Sequence, residues 1–355
     1  MNHQSPSFGL YIHWPYCLSK CPYCDFASVR WVANEPFLKM GYLRDIHQAP
    51  AGLLTSIYFG GGTPSLMSLP FFDFLMNEIH KKWTLSPRTE ITMEVNPGAI
   101  EREKMLAFRA GGVNRLSVGV QSLREKNLKF LGRRHDVPTA VKCVQDAQDI
   151  FPRVNMDLIY GLPYQSQKEW AKELHQALQL GLTHYSLYQL TIEENTVFFH
   201  RKQRGCSSLQ GRVLYLLTDD IMNQAHCPAY EVSNYACLGQ ESRHNMLYWT
   251  GKDYIGIGPS ACGRVLGQAT QNERTVGAWL KKPTTYESLT PEQKWLEHLL
   301  MGLRLRQAFY PEASLNPKGI VRAFQNHWIE RGPHGIRPTI QGTLMLNQLI
   351  LLLAT

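Results

Sequence analysis

The 355-residue sequence has no apolar run long enough to cross a bilayer. Its longest C-terminal stretch, 349–354 with Leu344 and Leu346 ahead of it, falls well short of the roughly 20 residues a spanning helix needs. It has no run of five or six basic residues, so the net charge of +8 reads as a solvated surface and nucleic-acid binding is not expected. No Gly-x-Gly-x-x-Gly turn follows the first predicted strand, which argues against a dinucleotide-binding fold. Internal repeats and low-complexity tracts are absent, and MNHQSPSFGL does not resemble a secretory leader; a cytoplasmic protein is expected. What excess charge there is favours anionic partners, such as a carboxylate-bearing ligand or acidic lipid headgroups at a membrane surface.

Eight cysteines are present, and only Cys17, Cys21 and Cys24 are clustered. In a long intracellular chain a cysteine cluster binds metal more often than it forms disulfides. Short β-rich runs at 8–13, 56–60, 90–96, 115–121, 154–159 and 184–190 alternate with helical patterns at about 36–46, 70–83, 100–110, 137–150 and 167–180. Six such units predict an α/β protein with a mostly parallel sheet, a partial or complete barrel. Beyond Val197 the pattern loosens, and 198–264 reads as polar loops with dense aromatic and small residues. A helix is predicted from about Thr290, with Leu296, Leu299, Leu300 and Leu303 on one face. The chain divides into a core at 1–200, a barrel-completing region at 201–285 and a small C-terminal domain at 286–355.

The strongest motif is YIHWPYCLSKCPYCDF, where Cys17, Cys21 and Cys24 follow a strand in C-x3-C-x2-C spacing. Three thiolates can hold a four-iron, four-sulfur cluster that keeps one iron open to chelate a ligand's amino and carboxylate groups. The competing reading is a structural zinc site, with His13 or Asp25 closing the tetrahedron. Gly60-Gly61-Gly62-Thr63-Pro64 ends the second strand; glycines there let backbone approach a ligand closely, or merely make a tight turn. Glu94, Gln121 and Asp157 fall at or near the ends of three predicted strands, with Arg133 in LGRRH. In a parallel barrel that end is the ligand mouth, and charge inside an apolar strand costs several kcal/mol unless paired or liganded.

These segments, with EVNPG, GVNRLSVGVQS, DLIYGLP, YSLYQLTIEENT, YEVSNYA, SRHNMLYW and IGIGPSA, resemble in order the oxygen-independent coproporphyrinogen III oxidase group of the radical S-adenosylmethionine (SAM) superfamily. The resemblance implies a partial (β/α)6 radical SAM barrel with a small, mainly helical C-terminal domain. It also implies a [4Fe-4S] cluster on Cys17, Cys21 and Cys24, and SAM contacts from Tyr11, Gly61, Gly62, Thr63, Glu94, Gln121, Arg133 and Asp157, with Tyr23 joining the cofactor site. The decarboxylating branch carries a fourth cysteine where this chain has Phe26, and a long N-terminal extension where sixteen residues precede Cys17. Both features are similar to the haem-chaperone (HemW) branch. That branch implies haem as cargo, a haem-acceptor protein such as a respiratory cytochrome, and an electron donor such as flavodoxin or ferredoxin. In it His244 of the HNMLYW segment contacts haem, and coproporphyrinogen III decarboxylation is not expected. The chain departs from the branch at Cys262 in GPSACGR, where a histidine is often found.

Overall fold

The structure, a computed structural model, describes residues 6–31, 35–306 and 310–354. Six parallel strands form its centre: β1 (Ser7–Trp14), β2 (Leu53–Gly61), β3 (Thr84–Val95), β4 (Arg115–Gln121), β5 (Arg153–Tyr160) and β6 (His184–Gln189). The helices between them are α1 (Glu35–Gln48), α2 (Leu69–Lys82), α3 (Arg102–Ala110), α4 (Val137–Ile150) and α5 (Gln167–Leu178). Helix starts follow local chemistry. Ser68 accepts from the Phe71 amide, Asp136 from Thr139, and Ser166 and Glu169 form a reciprocal capping box, each satisfying amides that a helix leaves unpaired.

Each strand alternates. Leu116, Val118 and Val120 of β4, and Val154, Met156, Leu158 and Tyr160 of β5, enter the main apolar core with the helices. The intervening Ser117, Asn155 and Asp157 bond one another on the other face: the Asn155 amide donates to Ser117 Oγ and to Asp157 Oδ1, both at 2.7 Å. Side chains switch face at every residue, so the curved sheet has an oily exterior under the helices and a polar lumen.

The remaining chain extends both edges of this sheet. β7 (Asn234–Ala236) pairs antiparallel with β6. β8 (Tyr254–Ile257) pairs parallel with β1 on its far side, and β9 (Cys262–Val265), β10 (Gln268–Gln271) and β11 (Thr285–Ser288) follow antiparallel. The order is β11-β10-β9-β8-β1-β2-β3-β4-β5-β6-β7. Among the described strands β7 and β11 do not meet, so the barrel is partial.

Residues 198–264, expected to be largely loop, also hold α6 (Ser208–Gln224) and α7 (Arg243–Trp249). Leu214, Tyr215, Thr218, Ile221 and Met222 give α6 its buried stripe; a glycine in its first turn and polar flanks obscure that period. The expected C-terminal helix is α8 (Pro291–Gly302), with Leu299 and Leu303 buried and Leu296 exposed. With α9 (Pro317–Gln325), a hairpin of Ile329–Gly332 and Gly335–Pro338, and α10 (Leu346–Ala354), it surrounds a second apolar cluster that includes Ile320, Ile336 and Leu349.

Candidate functional site

The cysteine loop leaves β1 at Pro15 and is tied at its base. Tyr16–Cys17 forms a two-residue ladder with Val29–Arg30, and the Trp31 amide donates to Cys17 O at 2.7 Å. Inside the loop the Cys24 amide donates to Cys21 O, and Lys20 Nζ donates to Phe26 O at 2.8 Å. The glycine-rich turn clips onto this base: Gly62 N donates to Trp14 O and Thr63 N to Tyr16 O, each at 2.7 Å. A Cβ on Gly62 would sit 2.4 Å from Tyr16 O, and Gly61 has φ of 108°. These glycines are needed for backbone-to-backbone approach whatever ligand they also serve.

One cavity of about 600 Å³ opens at the carboxyl ends of β2 to β6. Cys17, Cys21, Cys24 and Tyr23 line it beside Gly61, Gly62 and Thr63, together with Glu94, Gln121, Arg133 and Asp157. Arg133 spans the wall: Nη1 lies 3.5 Å from Cys21 Sγ, and Nη2 donates to Gly119 O at 2.8 Å and to Asn96 Oδ1, while Nε is buried without a partner among the described residues. Asn96 in turn donates to Thr63 Oγ1 at 2.8 Å. Gln121 holds a positive φ of 67° at the end of β4, where the strand breaks into the mouth.

Deeper in the cavity, Tyr58 donates to Glu94 Oε1 at 2.9 Å. Burial, with the nearby charge of Asp157, pushes the Glu94 carboxyl up to about 8; burial pushes Asp157 up to about 6. Arg115, 2% exposed, lines the same floor with its Nε unpartnered, and its charge works against both shifts. Two acids raised by desolvation around a buried guanidinium suit a polar ligand that replaces water there. Sequence reading missed Arg115, Tyr58, Asn96, Asn155, Ser186 and Tyr188 of this cavity. Their signal is a recurrence of polar residues at alternate positions of β2 to β6.

Two expected site residues stand elsewhere. Tyr11 is not on the cavity wall; its hydroxyl bonds His13 Nδ1 at 3.0 Å and its ring stacks on Tyr58. His244, expected to contact haem, is 1% exposed, with Nδ1 bonded to Ser56 Oγ at 2.8 Å and Nε2 to the Tyr248 hydroxyl at 2.6 Å. Its ring stacks on Tyr58, and burial pushes its pKa down to about 3. With both nitrogens engaged and no open face, it buttresses the lumen instead. Of the same α7 segment, Asn245 reaches the cavity.

The donor set favours a cluster over zinc. His13, one of the two side chains available to close a zinc tetrahedron, has its Nε2 bonded to Ala27 O at 2.9 Å and its Nδ1 to Tyr11. Three thiols on one loop, facing a cavity that Asp25 also lines and with His13 committed elsewhere, fit an iron–sulfur cube with a free corner. Burial pushes the Cys24 thiol up to about 11.

Comparison with known proteins agrees. Residues 11–177 match the family described as the Radical SAM superfamily. The chain is 39% identical to Heme chaperone HemW of Escherichia coli over 73% of its own length and 71% of that protein. It is 32% identical to Heme chaperone HemW of Haemophilus influenzae over 99% and 98%. It is also 32% identical to the mitochondrial Radical S-adenosyl methionine domain-containing protein 1 of Danio rerio over 96% and 86%. Among solved structures, coproporphyrinogen III oxidase (HemN) of Escherichia coli superposes with a TM-score of 0.84 over 99% of this chain and 91% of that one; at 20% identity this speaks for the fold alone.

Proposed function

The chain belongs to the radical SAM superfamily and, within it, to the HemW family, and on that premise we propose that it is a haem chaperone built on a cluster- and SAM-binding barrel. The observation that carries the reading is the meeting, in a chain of this family, of three free thiols and the polar strand ends in one cavity.

In this reading Cys17, Cys21 and Cys24 hold a [4Fe-4S] cluster, and SAM lies across the cavity. Arg133 takes the SAM carboxylate with its planar guanidinium, and the Gly61-Gly62-Thr63 backbone meets the amino group. Glu94, Gln121 and Asp157 accept from the hydroxyls and amine further in, and Tyr23 packs beside Arg133. When bound, the cluster supplies the electron for reductive cleavage of SAM. The residues orient the ligand and keep water out.

Haem is the cargo and passes to an acceptor protein such as a respiratory cytochrome, with flavodoxin or ferredoxin as electron donor. No helix among the described residues is long and apolar enough to cross a membrane. We place the protein in the cytoplasm, touching the membrane surface through its net positive charge.

Anaerobic reconstitution followed by parallel assays tests the reading. Stoichiometric haem binding without decarboxylation of coproporphyrinogen III is the expected result. Protoporphyrinogen formation dependent on SAM and reductant overturns the chaperone assignment in favour of the oxidase.

A further inference from the structure

A second cavity, of about 290 Å³, lies where β8 to β10 meet α8. It is separated from the buried His244 by Tyr248, which lines it and whose hydroxyl bonds His244 Nε2 at 2.6 Å. Tyr248 of α7 and Tyr254 of β8 line it with their rings 4.5 Å apart, edge to face. Lys294, His298 and Met301 of α8 also line it, and Lys252 follows α7. His298 and Met301 are three residues apart, and Lys294 and His298 four, so all three share one face of the helix.

These side chains are unspent. Among the described residues neither Lys252 nor Lys294 has an ion-pair partner, and His298 makes no hydrogen bond, resting only against the Tyr310 ring. By contrast Arg264, on the same wall, is fully engaged by both carboxylate oxygens of Glu297. Gly251, at φ of 64°, lets the imidazole lie over bare backbone: a Cβ there would come 2.9 Å from His298 Nδ1. That leaves Nε2 as the free nitrogen.

We propose that this cavity seats the haem cargo, with His298 ligating the iron, Tyr248 and Tyr254 packing on the macrocycle, and Lys252 and Lys294 meeting its two propionates. The inference rests on the reading that the chain carries haem. Its chemistry is general: imidazole is a common haem-iron ligand, aromatic rings pack well on a flat apolar body, and ammonium groups pair with carboxylates. Of the acids on the same wall, Glu297 is tied to Arg264 and Asp253 accepts from the Leu266 amide, which leaves Lys252 and Lys294 to meet the two propionates. The volume, about 290 Å³, falls just short of the range for small-molecule clefts, about 300–1,000 Å³, so one edge of the macrocycle enters and the other stays outside. A carrier that must hand its ligand to another protein needs such an exposed edge. His244 then acts through Tyr248, whose hydroxyl it holds at 2.6 Å, as a positioning residue.

The test is titration of the full-length protein with haemin, reading the Soret band and the dissociation constant. Wild type binds one haemin. His298→Ala shifts the Soret band and weakens binding about tenfold or more, with SAM affinity and iron content unchanged. The double variant Lys252→Gln/Lys294→Gln, at exposed positions that leave folding intact, weakens haemin but not haemin dimethyl ester, which lacks the carboxylates. Wild-type spectra and affinities in either variant overturn this site while leaving the haem reading in place. Failure of wild type itself to bind haemin stoichiometrically overturns the haem reading instead.

Discussion

If Glu94 contacts SAM as proposed, SAM binding depends on pH. Its carboxyl, buried under Tyr58 and facing Asp157, titrates near 8 rather than in the ordinary carboxylate range. Below that it is protonated and offers a donor; above it, it is a pure acceptor that also complements the sulfonium of SAM. With a pKa of about 8, roughly 3% is ionised near pH 6.5 and about three-quarters near pH 8.5. If the ionised form alone is competent, apparent affinity scales with its fraction and rises about 25-fold across that interval. The α-amino group of SAM titrates in the same region, at about 7.7–8.0, so wild type alone does not isolate the carboxyl; Glu94→Gln does. Equilibrium binding of SAM to anaerobically reconstituted protein should show a steep rise in wild type and a shallower one in the variant, the two differing most above pH 8. Parallel profiles would refute the assignment of Glu94 to the ligand. The metal-free protein follows the opposite trend. Because the folded pKa lies above the unfolded one, the folded state binds the extra proton, and the contribution of Glu94 to stability falls as pH rises from about 4.5 through 8.

Gly62→Ala places a methyl against Tyr16 O. Denaturant titration should show a loss of about 1–3 kcal/mol, with poorer iron retention because the cysteine loop shares that backbone; unchanged stability would mean the turn yields freely. Arg153→Ala strands Glu90, whose side chain is 1% exposed and which also accepts from the His244 amide. A cost of about 3–5 kcal/mol is expected in the same assay, and a cost below about 1 kcal/mol would contradict the lumen network. His244→Ala leaves Ser56 and Tyr248 without their shared partner. It should cost about 1–3 kcal/mol of stability while weakening haemin less than His298→Ala does; the reverse ranking would restore His244 as the ligand.

The parallel core was legible because its apolar faces and turn residues recur locally: all six strands of the sequence reading appear, β3 six residues longer at its start. The cysteine loop was legible for the same reason, being sixteen contiguous residues. The lumen was not. Asn155 and Ser186 sit singly between buried apolar neighbours, and Arg115 opens its strand just before Leu116; only the closing curve of the sheet turns them toward one another. Sheet order beyond β6 was equally hidden. β7 joins one edge and β8 the opposite edge, a crossing with no local signature in 234–257. His244 shows the limit of motif reading: HNMLYW marks the right helix, but whether its imidazole is open or spent depends on Ser56 and Tyr58, almost two hundred residues earlier in the chain.

Iron, acid-labile sulfide and zinc, measured together on anaerobically reconstituted protein and on Cys17→Ser, Cys21→Ser and Cys24→Ser, address the central claim most directly. About four irons and four sulfides per chain in wild type, lost in every variant, is the expected result for a cube held by three thiolates. Zinc without sulfide, or a cluster that survives replacement of any of the three cysteines, would contradict it.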